Sequence, residues 1–383
     1  MANTITDLTP TLYNALDVVS RELVGFIPAV TRDMTHERAA LNQTVRSPVA
    51  PASTAGDITP AVTPPDDGDQ TIGNVSMTIQ KARRVPVRWN GEQSLGLDNN
   101  GPGRMNIMRD QFAQAMRTLT NEVEADLAAL HVSASRAFGT AGTTPFGTAG
   151  DFTDASNVLK ILKDNGNAAD AQLVMDTSAG AKLLGLQSRY DIAGDVTMQN
   201  QGIIINKAGL QLRESAAIVT STAGTASSAT TNNAGYAVGA TVITLASAGT
   251  GTLVAGDVVT FAGDTNKYVI ASGDADVSNG GTITLAAPGL RVAMSAATKA
   301  ITVVAAAARN MAFTRSAIAL ATRAPALPEE GDLAVDRTII TDPRSGLSFE
   351  VSKYMQYRQV QYEVALAWGV KAVKPEHIAL LLG

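Results

Sequence analysis

NIMRDQFAQAMRTLTNEVEADLAALHVSASRAF, residues 106–138, carries a single apolar stripe. Met108, Phe112, Met116, Leu119, Val123, Leu127, Leu130, Ala134 and Ala137 follow one another at steps of three or four residues, averaging about 3.6, the α-helical period. The spacing predicts one helix from Asn106, whose side chain can cap the free N–H groups, to Gly139, which can take the left-handed closing conformation. Arg109, Arg117, Asn121, Glu124 and Arg136 fall largely off the stripe. The pattern lacks the drift of a strict seven-residue repeat, so the expected partner is a sheet or loops rather than a second long helix. Such a helix would run roughly 50 Å, which suits a flat, elongated molecule. The competing reading is a long core helix in an ordinary α/β protein.

Composition narrows the class. With 383 residues, 45% hydrophobic and 17% charged, the chain has the balance of a globular protein of two or three domains. Aromatics make up 4% and glycines number 33, a bias towards short smooth strands and tight turns in part of the chain. A formal charge of −5 argues against a dedicated nucleic-acid binder. The absence of cysteine excludes disulfides, thiolate metal sites and cysteine nucleophiles. No apolar run approaches the ~20 residues that span a bilayer, and MANTITDLTP lacks the order of a signal peptide, so the chain reads as cytoplasmic at synthesis.

Upstream of the stripe, Thr9 and Pro10 open an expected amphipathic helix over 9–27, with Leu12, Leu16, Val19, Leu23 and Phe26 on one face. It either packs on its own domain or reaches a neighbouring subunit. Residues 46–74 are rich in Pro and Gly and read as a long extended excursion with Asp66, Asp67 and Asp69 at its tip. The returning limb sets Lys81, Arg83, Arg84 and Arg88 among alternating apolar residues, Val75, Met77, Ile79, Val85, Val87 and Trp89. This predicts a two-stranded β-ribbon. A lone ribbon is marginally stable in water, so another chain is its expected support.

Downstream, 151–215 reads as compact α/β. Thr153 or Asp154 caps a short helix through Val158, Leu159 and Leu162, with Gly166 past its end. The strand 171–176 leads into a second helix capped by Thr177 and Ser178, and further strands are expected at Ile203–Ile205 and Leu210–Leu212. From about 220 to 307 charged residues thin out and five β-like runs recur at 240–247, 256–263, 266–272, 281–289 and 300–306. Because α/β-type sequence resumes at Arg309, this region reads as a small all-β barrel or sandwich inserted into another domain. The last part holds NMAFTRSAIALA at 310–321, a hairpin turning at 342–346, and a final apolar strand after Pro375.

Catalytic chemistry is sparse. His36, His131 and His377 have no partner at metal-ligand spacing, and no nucleophile elbow, phosphate-binding loop or dinucleotide fingerprint is present. Asp274, Asp276, Ser278 and Gly280 faintly suggest a calcium loop, but Asn279 and Leu285 occupy the obligatory glycine and bidentate positions. Asp66, Asp67 and Asp69 could hold a cation, but a solvated turn or a partner for basic residues suits them better. The run from Lys81 to Arg88 lacks the interleaved aromatics of a nucleic-acid patch apart from Trp89. Opposite charges on two limbs of a ribbon could pair between copies, each exposed pair adding at most about 1 kcal/mol yet fixing register in a lattice. A ribbon edge kept charged against aggregation explains the same residues.

AGDITPAVTPPDDGDQTIG (55–73), VPVRWNGEQ (85–93), AGDVVTFAGDTNKYVI (255–270), NMAFTRSAIALATRAP (310–325) and GVKAVKPEHIALLL (369–382) stand in an order that resembles the major capsid proteins of tailed phages with the Hong Kong 97-type fold. More narrowly, the chain is similar to the P-twenty-two-type coat proteins, which carry an inserted β-barrel domain. The resemblance implies an α+β fold: an N-terminal arm (1–45), an extended β-ribbon loop (46–90), a spine helix and peripheral domain (91–150), a central α/β domain (151–219), an inserted β-barrel (220–308) and a return to the central and peripheral domains with a β-hairpin (309–383). It further implies a non-enzymatic shell subunit without cofactor or membrane partner. Copies would assemble as hexamers and pentamers in the host bacterial cytoplasm, with scaffolding protein and a portal, into a virion that encloses double-stranded DNA without reading its sequence. Inter-subunit contacts are expected at Asp66, Asp67, Asp69, Lys81, Arg83, Arg84 and Arg88. No covalent crosslink is expected: Lys81 is the only lysine near the ribbon, and no reaction partner stands out.

Two other classes fit parts of the chain. A β-rich phage decoration or adhesion protein would explain 220–307 without needing the spine helix, and would run as a monomer or trimer. An α/β enzyme with a β-domain insertion would need a concave site, with His131 and Asp176 as the residues to replace first.

Overall fold

The computed structural model describes residues 24–33, 38–49, 55–60, 62–63, 69, 71–100, 104–148, 151–167, 170–187, 209–341 and 346–383. The chain begins with β1 (Thr31–Asp33), β2 (Thr44–Val49), β3 (Gly73–Thr78) and β4 (Lys81–Asn90), then helices α1 (Gly91–Asn100) and α2 (Arg104–Ala128) and strand β5 (Arg136–Gly139). Helix α3 (Thr153–Asp164), strand β6 (Ala171–Met175), helix α4 (Thr177–Gln187) and strand β7 (Gln211–Glu214) come next. The five runs expected between 240 and 306 form β8 (Val242–Leu245), β9 (Val258–Phe261), β10 (Lys267–Ser272), β11 (Gly281–Leu285) and β12 (Ile301–Val303). Then follow β13 (Arg309–Thr314), β14 (Ile318–Arg323), β15 (Ala334–Thr341), β16 (Ser348–Gln356), β17 (Gln359–Ala372) and β18 (Ile378–Leu382).

Among the described residues these strands make three sheets in a mixed α/β chain. A six-stranded sheet runs β1-β14-β17-β16-β15, with β4 on the other side of β17. A ten-stranded sheet runs β12-β9-β10-β5-β18-β13-β6-β7, with β11 joined to β10 and β8. The pair β2-β3 stands by itself.

The central strands are covered on both faces, which is why IALLL reads as an unbroken apolar run. Along β18, Ile378, Leu380 and Leu382 enter the core under α2 while Ala379 and Leu381 face α3 and α4. Met311 and Phe313 on β13 repeat the alternation against Ala312. Helix α2 buries Met108, Phe112, Met116, Leu119, Val123 and Leu127 against β4 and β17, so its partner is a sheet.

The expected helix is shorter than its periodicity suggested. It starts at Arg104, placing Asn106 inside it, and ends after 25 residues, about 37 Å. A 3-10 turn, Ala129–Ser133, follows, and β5 then pairs in parallel with β18 and antiparallel with β10. Ala134 and Ala137 are buried, as their apolarity predicted, but Ala134 closes the 3-10 turn and Ala137 lies in β5: strand partners downstream outweigh the weak helical preference of VSAS. Gly139 does adopt a positive φ of 98°, and a Cβ there would meet the Leu382 carbonyl oxygen at 2.7 Å, so close strand approach rather than a helix end requires it.

Other expectations shift in detail. The helix over 9–27 falls mostly outside the described residues; Phe26 sits in a turn and stacks on Phe313 with ring centroids 6.2 Å apart. The strand at 203–205 and the turn residues 342–345 also lie outside them. Thr153 and Asp154 are the first helical residues of α3, and Asp151 accepts the Thr153 N–H at 2.8 Å. Asp176, not Thr177 or Ser178, caps α4, accepting the Ser178 amide at 3.2 Å.

Region 220–308 has its own core of Ile243, Leu253, Phe261, Tyr268, Ile283 and Leu290, among others. Segment 229–232 hydrogen-bonds to β12's neighbourhood through Ile301 N–H to Ala229 and to β8's through Ala246 N–H to Thr230, both at 2.9 Å. The region is not detached: Lys267 and Tyr268 on β10 pair with Ala137 and Arg136 on β5, so its strands continue the central sheet.

Candidate assembly surface

The ribbon exists, but only its outer part stands free. Strands β2 and β3 pair antiparallel from Thr44↔Thr78 to Val49↔Gly73, and Pro48 is tolerated because both strands are edges. At the base, Met77 and Ile79 are buried with Ala39, Ala321 and Ala367 of the same chain. Gln80 N–H donates to the Trp368 carbonyl at 2.9 Å, and Lys371 Nζ to that of Ser76 at 2.6 Å. Beyond Val49 and Gly73, Ile58, Val62 and Ile72 are exposed, and none of the described residues covers them.

The basic limb is placed differently from the sequence expectation. Strand β4 pairs with β17 along its whole length, Lys81↔Trp368 to Asn90↔Gln359, and belongs to the body rather than to a freestanding ribbon. Its apolar residues Val85 and Trp89 face the core under α2, and Trp89 Nε1–H donates to Gln111 Oε1 at 2.9 Å. Three of its four cations have acidic partners within the chain. Lys81 pairs with Asp126 at 2.7 Å, Arg84 with Glu363 at 2.8 Å and Arg83 with Glu122 at 3.6 Å. Asp126 also accepts the Trp368 indole N–H at 2.8 Å, so one helix carboxylate joins β4 and β17. Arg88 is exposed and makes no ion pair among the described residues. Asp69 is exposed, while Asp66 and Asp67 lie outside the described residues.

A second open surface lies at the edge of the six-stranded sheet. Among the described residues strand β15 pairs only with β16, leaving its other edge unbonded. Leu333, Val335 and Ile339 on or beside it are exposed, as are Met355 and Tyr357 at the β16–β17 hairpin. An apolar edge strand is a template for pairing unless something covers it.

The N-terminal end of the described chain is held by a buried acid. Glu124 on α2 accepts the backbone N–H of Gly25, Phe26 and Ile27 at 2.6, 2.7 and 3.1 Å and the Ser215 hydroxyl at 2.8 Å. Burial pushes its carboxyl above the usual range, and the four donors pull it partly back.

Groups that could do chemistry are dispersed or internally satisfied. His131 shares a hydrogen bond with the Ala128 carbonyl at 3.2 Å, His377 with that of Asn165 at 3.1 Å, and His36 lies outside the described residues. Asp276 caps the short turn Val277–Asn279, accepting from the Ser278 hydroxyl at 2.6 Å, in place of any calcium loop. Among the described residues no three His, Cys, Asp or Glu side chains stand close enough to hold a metal ion. No described helix is long and apolar enough to cross a membrane.

No protein-family model matches the sequence, and no curated protein matches it. Solved structures do. The chain is similar to the capsid structure of the Cyanophage P-SCSP1u at 12% identity and a TM-score of 0.49, over 94% of this chain and 88% of that one. A structure from Mycobacterium phage Che8 overlaps at 12% identity and a TM-score of 0.42, over 90% and 88%. The crystal structure of a virus-like particle from Pyrococcus furiosus overlaps at 9% identity and 0.41, over 97% and 96%. These overlaps are loose and nearly full-length.

Sequence reasoning missed the acids that neutralise β4. Glu122 and Asp126 lie four residues apart on α2 and Glu363 on β17; their spacing on a helix face was the available signal. It also set Glu124 and Arg136 off the apolar stripe as if solvated, whereas both are buried. The exposed apolar edge at Leu333 and Val335 carried no signal beyond alternation after a Pro- and Gly-containing turn.

Proposed function

We propose that this chain is the major capsid protein of a tailed double-stranded DNA phage or prophage, a structural subunit with the Hong Kong 97-type fold. Residues 1–45 are then the N-terminal arm, 46–90 the extended loop, 91–150 the spine helix and peripheral domain, 151–219 the central domain and 309–383 its completion. Residues 220–308 form an inserted β-barrel domain, as in the P-twenty-two-type coat proteins. Copies tile as hexamers and pentamers with scaffolding and portal proteins, and the chain catalyses no reaction.

The observation that carries this reading is the ribbon, beyond whose paired strands Ile58, Val62 and Ile72 find no cover among the described residues. Exposed apolar groups on an extended arm are stable when a neighbour buries them. The open edge of β15 offers a second such surface. The net charge of −5 suits a wall that encloses DNA without clinging to it. Of the cations expected at subunit contacts, Arg88 is the one left to meet an acidic tip at Asp66, Asp67 and Asp69, since Lys81, Arg83 and Arg84 have partners at home.

Negative-stain microscopy of the expressed protein, alone and with the products of neighbouring genes, tests the reading. Closed shells are expected. A protein that stays monomeric at every concentration and with every helper would sink it.

A further inference from the structure

Between α3, β5 and the start of β10 lies a cleft of about 360 Å³, within the ~300–1,000 Å³ range of small-ligand sites. Arg136, Lys160 and Lys267 line it, together with the neutral polar side chains of Thr140, Asn157 and Asn266. Arg136 is only 4% exposed. Its guanidinium donates to Asn266 Oδ1 and Asp164 Oδ2, each at 3.2 Å, while its Nε has no hydrogen-bond partner. Asp164 also faces Lys160 at 3.7 Å, so one carboxylate is shared between two cations. The other nearby acid, Asp264, is committed to the Tyr268 hydroxyl at 2.6 Å and to Asn266. Among the described residues Lys267 finds only the Gly139 carbonyl, a neutral acceptor.

Cations therefore outnumber acids in a concave site bordered by apolar groups, where field lines concentrate and an anion is drawn in. We propose that this cleft binds a tetrahedral oxyanion of the phosphate class, held by Lys267 and Lys160 over the buried charge of Arg136. Burial lowers the ammonium of Lys267 from its ordinary value near 10.5, and a bound anion would favour its charged form again. The cleft joins the central sheet to region 220–308, so an occupant would tie the two together.

The test is thermal unfolding of the full-length protein in inorganic phosphate against chloride at equal ionic strength. Phosphate is expected to raise Tm saturably in the millimolar range. Lys160→Met, at an exposed position that leaves the fold alone, and Lys267→Met should each weaken the apparent Kd at least about tenfold. No gain over chloride, or an equal gain in both variants, overturns the proposal. Short duplex DNA separates the sources of the oxyanion. Duplex binding displaced by phosphate assigns the site to a backbone phosphodiester, and phosphate binding without duplex binding assigns it to a free ion. Duplex binding that phosphate fails to displace overturns the proposal in favour of a diffuse polyanion surface.

Discussion

The Glu124 carboxylate holds the backbone amide of Gly25 at 2.6 Å, across 99 residues of sequence. Phe26 and Ile27 donate to the same group, so the turn at the start of the described chain is fastened to helix α2 by one side chain. Glu124→Ala would orphan three buried amides, each costing about 1–3 kcal/mol. Denaturant unfolding should show a loss of about 3 kcal/mol or more, with faster proteolysis near residue 24. A loss below about 1 kcal/mol would mean that water takes over the carboxylate's role.

Arg88 gives the cleanest test of charge pairing between copies. It has no ion pair among the described residues, so Arg88→Glu should change monomer stability by no more than about 0.5 kcal/mol. Shell yield should nevertheless fall, most steeply at low salt. Shells at normal yield from this variant would refute the pairing. Arg83→Glu with Arg84→Glu is a harsher test, because it also sets like charges against Glu122 and Glu363.

The apolar residues of the outer ribbon should matter for assembly and not for folding. Ile58→Ser together with Val62→Ser removes side chains fully exposed among the described residues, so Tm should hold within a degree or two. Sedimentation should then show unassembled subunits. A drop in Tm without loss of shells would place these side chains in the subunit's own packing.

Gly369 lies where the ribbon base crosses β17, and a Cβ there would run into the Thr78 carbonyl oxygen. Gly369→Ala must push strand β3 away, at about 1–3 kcal/mol. Hydrogen exchange should speed up at Ile79 and Gln80, whose amides bond to Gln43 and Trp368. Unchanged exchange would show that the crossing is slack.

Burial holds the His131 imidazole below its ordinary value near 6.5, and the Arg309 guanidinium pushes it the same way. The unfolded chain thus takes up this proton at a higher pH than the folded one. Stability tied to His131 is full above about 6.5 and is lost as the pH falls through the lowered folded value. His131→Gln cannot take up that proton and should flatten the decline between pH 7 and 5. Parallel stability profiles for the two proteins would assign the decline to other groups.

Much of this architecture can be read from the chain where one element answers to one local pattern. Met108 to Leu127 mark a helix face because a single sheet covers them all. Val85, Val87 and Trp89 mark a strand because alternate residues turn inward, Val85 and Trp89 onto the core under α2. The reading fails where the partner is remote. Ala137 fits a helical spacing, and only the pairing of β5 with β18, over 240 residues later, makes it strand. Glu124 looks solvent-facing because its donors at 25–27 and 215 leave no local trace. Lys81 and Arg84 look unpartnered because Asp126 and Glu363 lie on elements that sequence order separates from them.

Strand β17 is the middle of one sheet and β18 the middle of another, although both come from the final stretch of the chain. Until residues 359–382 have left the ribosome, β4 and β16 have no shared neighbour, β5 and β13 are apart, and the stripe of α2 lacks one of the two strands that cover it. A nascent chain in that state exposes apolar surface of the kind that drives aggregation. A polypeptide cut short before residue 359 lacks both seams, so synthesis of that short stretch couples the completion of one sheet to the completion of the other.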